Sequence, residues 1–145
     1  MSHNVFVVRN HVASPARHSA AVVFSPYEET RSQLLKILTS DEWTVLQATT
    51  VAEAVALLKR ERISVVIAEG SWRPILERCS EYPEPPALVV TARFADESLW
   101  AEVLNVGGFD VMAQPFDRDE VLRISHAANR AAFRKPVFAT AAATV

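Results

Sequence analysis

The sequence predicts an α/β fold, a parallel sheet covered by helices on both faces. Short apolar runs alternate with helix-patterned stretches five times. The runs are continuous rather than alternating, as in strands buried on both sides. No internal repeat or linker breaks the pattern, so one sheet with right-handed crossovers is expected.

The elements follow in order. Ala21-Val22-Val23-Phe24 is a first buried strand, and Ser25-Pro26-Tyr27 is a turn, because Pro26 has no N–H to continue the pairing. Glu28 to Thr39 reads as a helix, with Leu34, Leu35, Ile37 and Leu38 on one side and acids in its first turn. Trp43 to Ala48 is a second strand. Thr50 and Glu53 have capping-box spacing before a helix from Val51 to about Glu61, with Ala54, Val55 and Leu58 facing in. Ile63-Ser64-Val65-Val66-Ile67-Ala68-Glu69-Gly70 is the central strand and its exit. Ser71-Trp72-Arg73-Pro74 reads as a loop before a short helix over Ile75 to Glu81, which Pro83, Pro85 and Pro86 end. Ala87 to Thr91 is a fourth strand. Asp96 caps a helix to Val106, with Leu99, Val103 and Val106 as the inward stripe, and Gly107-Gly108 supplies the left-handed stop. Asp110-Val111-Met112-Ala113 is a fifth strand and Gln114-Pro115-Phe116 a turn. Asp117 with Glu120 caps a last helix over Arg118 to about Ala132, with Val121, Leu122, Ile124 and Ala128 facing in.

The ordered domain is therefore expected over residues 20–132, with a C-terminal tail at 133–145. Residues 1–19 form an N-terminal appendage with two readings: a poorly ordered tail, or an extra strand (Val5-Phe6-Val7-Val8) paired with a sheet edge, its own or a neighbour's.

Composition narrows the function. The chain has 145 residues, half of them hydrophobic and 22% charged, and a net charge of −2. Such a chain is long enough for one full core and is globular rather than disordered. The charge balance offers no field for nucleic acid or an anionic membrane. No apolar run approaches spanning length, no signal peptide opens the chain, and the single Cys79 precludes an internal disulfide, so a cytoplasmic location is expected. Cys79 reads as a small buried thiol. His3, His11, His18 and His126 show no metal-ligand spacing with Cys79 or with one another, and surface positions are expected. Ser25 lacks a G-x-S-x-G setting, and no glycine-rich loop follows the first strand. Arg118, Arg123, Arg130, Arg134 and Lys135 read as a solvated basic face, with the binding of an acidic partner as the alternative.

In open α/β sheets chemistry sits just outside the carboxyl ends of the strands, which singles out Glu69. Five βα units with a polar residue ending the third strand, Leu88-Val89-Val90-Thr91-Ala92, Gly107-Gly108-Phe109-Asp110 and Gln114-Pro115-Phe116-Asp117 resemble the receiver domain of bacterial two-component response regulators. The resemblance spans roughly residues 20–132. It implies a flavodoxin-like, doubly wound five-stranded sheet of order 2-1-3-4-5, and a site in which a strand-three aspartate takes a phosphoryl group. Acids after the first strand would hold Mg²⁺, and a threonine and a lysine ending strands four and five would contact the phosphoryl group. Here Glu69 stands at the acceptor, Ser25 and Pro26 at the acidic pair, Gln114 at the lysine and Val111 at the aromatic switch. Thr91 and the Pro115-Phe116 turn agree.

These departures weaken phosphoryl chemistry. Mg²⁺ wants carboxylate help and transfer needs positioned positive charge. One carboxylate remains, extended by a methylene, and misplacement by ~1 Å can cost on the order of a hundredfold. No metal and no cofactor are expected. Glu69 is expected to be hydrogen-bonded to Gln114, Thr91 or Ser25, or paired with Arg73 or Arg93. The alternative has it pointing into water from a loop edge.

The resemblance assigns the helix of Trp100 and Leu104, the fifth strand with Val111, and the last helix to an output or dimer face. Trp100 reads as a core-edge residue or as an exposed contact, and Trp72 as a lid over the site. Three functions stay open: a degenerate, pseudo-receiver domain that is not an enzyme and binds protein partners (a regulator, kinase or effector) and itself as a homodimer; a phospho-acceptor using Glu69 or another residue; and a small-molecule sensor with a pocket beneath Trp72.

Overall fold

The computed structural model describes Val5–Phe6 and residues 19–134. The remainder of the two terminal stretches, with His3, His11, His18 and Lys135, lies outside the described residues. Among the described residues eleven elements run in order: β1 (Val5–Phe6), β2 (Ala20–Phe24), α1 (Glu28–Thr39), β3 (Thr44–Ala48), α2 (Val51–Arg60), β4 (Val65–Ala68), α3 (Trp72–Cys79), β5 (Ala87–Ala92), α4 (Glu97–Asn105), β6 (Asp110–Ala113) and α5 (Arg118–Ala131). The sheet order is β1-β3-β2-β4-β5-β6. β2 to β6 are parallel, in the flavodoxin-like order 2-1-3-4-5 when counted from β2. β1 joins the β3 edge antiparallel, Val5 opposite Leu46 and Phe6 opposite Val45.

The unbroken apolar runs are explained by two cores. Side chains alternate across the pleat, so each strand feeds both faces. Val22, Phe24, Val66, Ala68, Leu88 and Val90 pack with α2 and α3 and with Val103 of α4. Val23, Val65, Ile67, Val89 and Met112 pack with α1 and α5.

Several elements differ from the sequence expectation. α3 begins at Trp72, not near Ile75, so Pro74 sits in its first turn. That position tolerates proline because the first four helical N–H groups lack intrahelical acceptors anyway. α2 buries Ala54, Leu57 and Leu58, while Val55 is only half-buried. In α4 only Val103 is fully buried, and Val106, expected inward, is exposed. The reason is the helix end: Val106 is the C-cap, and the chain turns away there. Gly107 donates to Leu104 O at 3.2 Å and Gly108 to Val103 O at 2.9 Å, the paired bonds of a Schellman motif, with Gly107 at φ +103°.

Caps hold the helix starts. Asp96 accepts from Leu99 N, Asp117 from Glu120 N and Thr50 from Glu53 N. The Glu53 carboxylate reaches back to Thr49, accepting from its backbone N–H at 2.7 Å and its hydroxyl at 2.9 Å. Those bonds hold the Glu53 carboxyl below its ordinary range. No helix of the described residues is long and apolar enough to cross a membrane.

Candidate functional site

The site lies where β2, β4, β5 and β6 end together. β4 stops at Ala68, and Glu69 N donates to Phe24 O at 2.9 Å, which keeps Glu69 in line with the end of β2. Gly70 follows at φ +97°, a conformation that favours glycine and turns the chain sharply into α3. Glu69 is therefore held just past the strand and is only 6% exposed. It does not point into water.

Both carboxylate oxygens accept hydrogen bonds. Ser25 Oγ donates to Oε1 at 2.8 Å, and Gln114 Nε2 donates to Oε2 at 3.1 Å. The second Gln114 proton goes to Thr91 Oγ1 at 3.2 Å, and Thr91 passes its own to Met112 O at 2.8 Å. Ser25 Oγ also accepts from Tyr27 N at 2.9 Å, and Arg31 Nη1 donates to Ser25 O at 2.9 Å. Each donor of this chain has an acceptor, which is the condition for burying polar groups without a large penalty.

The arginines expected as alternatives lie elsewhere. Arg73 pairs with Glu102 of α4 and lies over the Trp72 ring. The Arg93 guanidinium sits 5.7 Å from the Tyr27 ring centroid. Trp72 is not a lid. It is 8% exposed and belongs to the core cluster on the α2 and α3 face, where starting α3 at Trp72 places it. Val111 does not belong to a surface either. It is buried in the core below α4. Of the residues expected on the output face, Trp100 is 49% exposed and Leu104 is exposed beside it. Pro26 and Pro115 are exposed at the rim, Pro115 after a cis peptide bond.

The residues present do not fit a magnesium ion. Glu69 is the one carboxylate in the bonded network, both its oxygens are taken by neutral donors, and Pro26 beside it has no side-chain oxygen. Among the described residues no three carboxylate, imidazole or thiol groups converge.

Sequence reasoning missed an open cleft of about 350 Å³ on the α1 side, lined by Glu29, Thr30, Gln33, Arg93, Gln114 and Pro115. Gln114 is common to cleft and network. No local signal marks Glu29 or Gln33, which read as ordinary surface positions of α1. His126 also has an unforeseen partner: its Nε2 lies 2.7 Å from Asp41 Oδ2, which also accepts from Trp43 Nε1 at 3.3 Å.

No protein-family model matches the chain, and no curated protein matches it. Solved structures do. The signal receiver domain of a putative Luxo repressor protein from Vibrio parahaemolyticus superposes with a TM-score of 0.72 at 10% identity, over 79% of this chain and 92% of that one. The signal receiver domain of an HD domain-containing protein from Pseudomonas fluorescens Pf-5 gives 0.70 at 21% identity, over 84% and 94%. The beryllofluoride-activated NtrC4 receiver domain dimer gives 0.69 at 17% identity, over 77% and 97%. At such identities the likeness establishes the fold, which is that of receiver domains.

Proposed function

We propose that this chain is a receiver-type signalling domain of the pseudo-receiver kind, which works by protein–protein contact and takes up no phosphoryl group. The observation that supports it most is the bonding of Glu69. A buried carboxylate whose two oxygens are each held by a neutral donor, with no second carboxylate in its bonded network to help hold a metal and Gln114 bonded where a lysine would be, is poorly set up for phosphoryl transfer. The step from receiver fold to signalling is analogy, since one fold hosts many functions. On this reading the domain is not an enzyme, acts in the cytoplasm, and contacts a kinase, regulator or effector.

The same reading includes a homodimer through α4 and α5. Trp100 and Leu104, one turn apart on α4, are both exposed apolar residues, and the NtrC4 neighbour is a receiver dimer.

Incubation with acetyl phosphate and Mg²⁺, followed by intact mass measurement, tests the central claim. The expected spectrum shows the unmodified chain only. A phosphoryl adduct that disappears in Glu69→Ala would replace this reading with that of an active phospho-acceptor.

A further inference from the structure

The cleft on the α1 side holds one acid and one base that do not neutralise each other. Glu29, in the first turn of α1, and Arg93, just past β5, both line it. Among the described residues neither takes part in an ion pair. Glu29 Oε2 accepts from Gln33 Nε2 at 3.2 Å, and its other oxygen accepts nothing among the described residues. The Arg93 guanidinium makes no hydrogen bond among them; its neighbour is the Tyr27 ring, 5.7 Å away at the centroid. Two neutral groups of the same cleft are unfilled as well. Thr30 is only 5% exposed, yet its hydroxyl has no hydrogen-bond partner among the described residues. A nearly buried hydroxyl normally finds a partner within the fold, and this one lines a space that a ligand can enter. Both amide protons of Gln114 are spent on Glu69 and Thr91, so the carbonyl Oε1 is the polar atom it has left.

We propose that this cleft binds a small zwitterion, an amino acid whose carboxylate lies on the Arg93 guanidinium and whose ammonium lies on Glu29. The charge balance selects the class. A lone anion would meet Glu29 and a lone cation would meet Arg93, each a like charge in the same cleft, whereas a ligand with both charges answers both. The donors and acceptors match too. An ammonium has three protons, and the Glu29 carboxylate, Gln114 Oε1 and Thr30 Oγ1 offer three acceptors. A guanidinium presents paired N–H groups to a carboxylate. The cleft's volume of about 350 Å³ lies at the small end of the range for small-molecule sites, roughly 300–1,000 Å³. Gln114 also belongs to the Glu69 network, so a bound ammonium polarises the amide that ties together the ends of β4, β5 and β6. This input to the strand ends stands whether or not Glu69 takes a phosphoryl group.

Titration of the full chain with glycine, β-alanine and γ-aminobutyrate, followed by proton–nitrogen NMR without phosphodonor or Mg²⁺, tests it. The series varies the separation of the two charges. At least one member should shift the Thr30 and Gln114 amides saturably in the millimolar range. Acetate and methylammonium, which carry one charge each, should bind at least about tenfold more weakly. Arg93→Gln and Glu29→Gln should each lower the zwitterion's affinity by about tenfold, the loss of one charge-assisted contact. Both side chains are exposed, so the fold should hold and amide signals away from the cleft should stay in place. No saturable shift with any member would overturn the proposal. So would acetate or methylammonium binding as tightly as the zwitterion, or an affinity that survives both substitutions. None of these results bears on the phosphoryl reading, which the intact-mass experiment decides.

Discussion

Gln114 donates to Glu69 across 3.1 Å and to Thr91 across 3.2 Å, so one neutral carboxamide ties together the ends of β4, β5 and β6. Receiver chemistry would want a cation there. The amide instead completes a hydrogen-bonded chain that runs from Ser25 to the carbonyl of Met112.

Breaking that chain should be costly and non-additive. Ser25→Ala or Gln114→Leu each leaves a buried Glu69 oxygen without its donor, which costs about 1–3 kcal/mol. Denaturant unfolding of both singles and the double should show a coupling of about 0.5–3 kcal/mol, since both act on one carboxylate. Gln114→Lys should preserve or raise stability, because a charge-assisted bond replaces a neutral one.

Trp100→Ala should lower self-association while leaving the melting temperature within about a degree or two, because exposed side chains away from structural features usually contribute within about 0.5 kcal/mol. A dimer unaffected by the change would remove α4 from the interface.

Ser125 on α5 is fully buried, and its hydroxyl has no hydrogen-bond partner among the described residues. Ser125→Ala removes an unsatisfied group and improves helix propensity, so it should stabilise the protein by about 1 kcal/mol in thermal or urea unfolding.

Gly108→Ala should destabilise. A Cβ there would stand 2.4 Å from Val103 Cγ1 and 3.0 Å from Val103 O, so the end of α4 must shift. A cost of about 1–3 kcal/mol is expected from overpacking, measured as a drop in the urea midpoint.

Burial pushes the Cys79 thiol from its ordinary 9.0 up to about 12. The native protein should therefore react with a thiol reagent at pH 8 only as fast as it unfolds. The folded thiol holds its proton where the unfolded one has lost it, so this group's contribution is complete below pH 9 and is lost between pH 9 and about 12. Stability in that window should fall more steeply with pH than in Cys79→Ala, by up to about 1.4 kcal/mol per pH unit.

Much of the fold was legible because local signals agreed. The Thr50, Asp96 and Asp117 caps sit where the spacing predicts, and the Gly107-Gly108 stop closes as a Schellman motif. Where the sequence misled, two local preferences competed. Pro74 reads as a loop residue, but the first helical turn accepts it, and this moved Trp72 from the site into the core. Val106 continues an apolar stripe, yet the helix ends before the stripe can bury it. Leu57 completes the buried face of α2 more fully than Val55, a matter of a single residue's rotation about the helix.

The amino-acid sequence by itself determined the layered parallel sheet and the identity of every residue at the strand ends, because hydrophobic period, caps and turn residues act over a few positions. Only the tertiary structure decided who bonds to whom. Ser25, Glu69, Thr91 and Gln114 are separated by as many as 89 positions, counted from 25 to 114. Their hydrogen bonds exist because parallel pairing sets the ends of β2, β4, β5 and β6 side by side. Local spacing holds no record of distances fixed that way, nor of a two-residue strand choosing the far edge of β3.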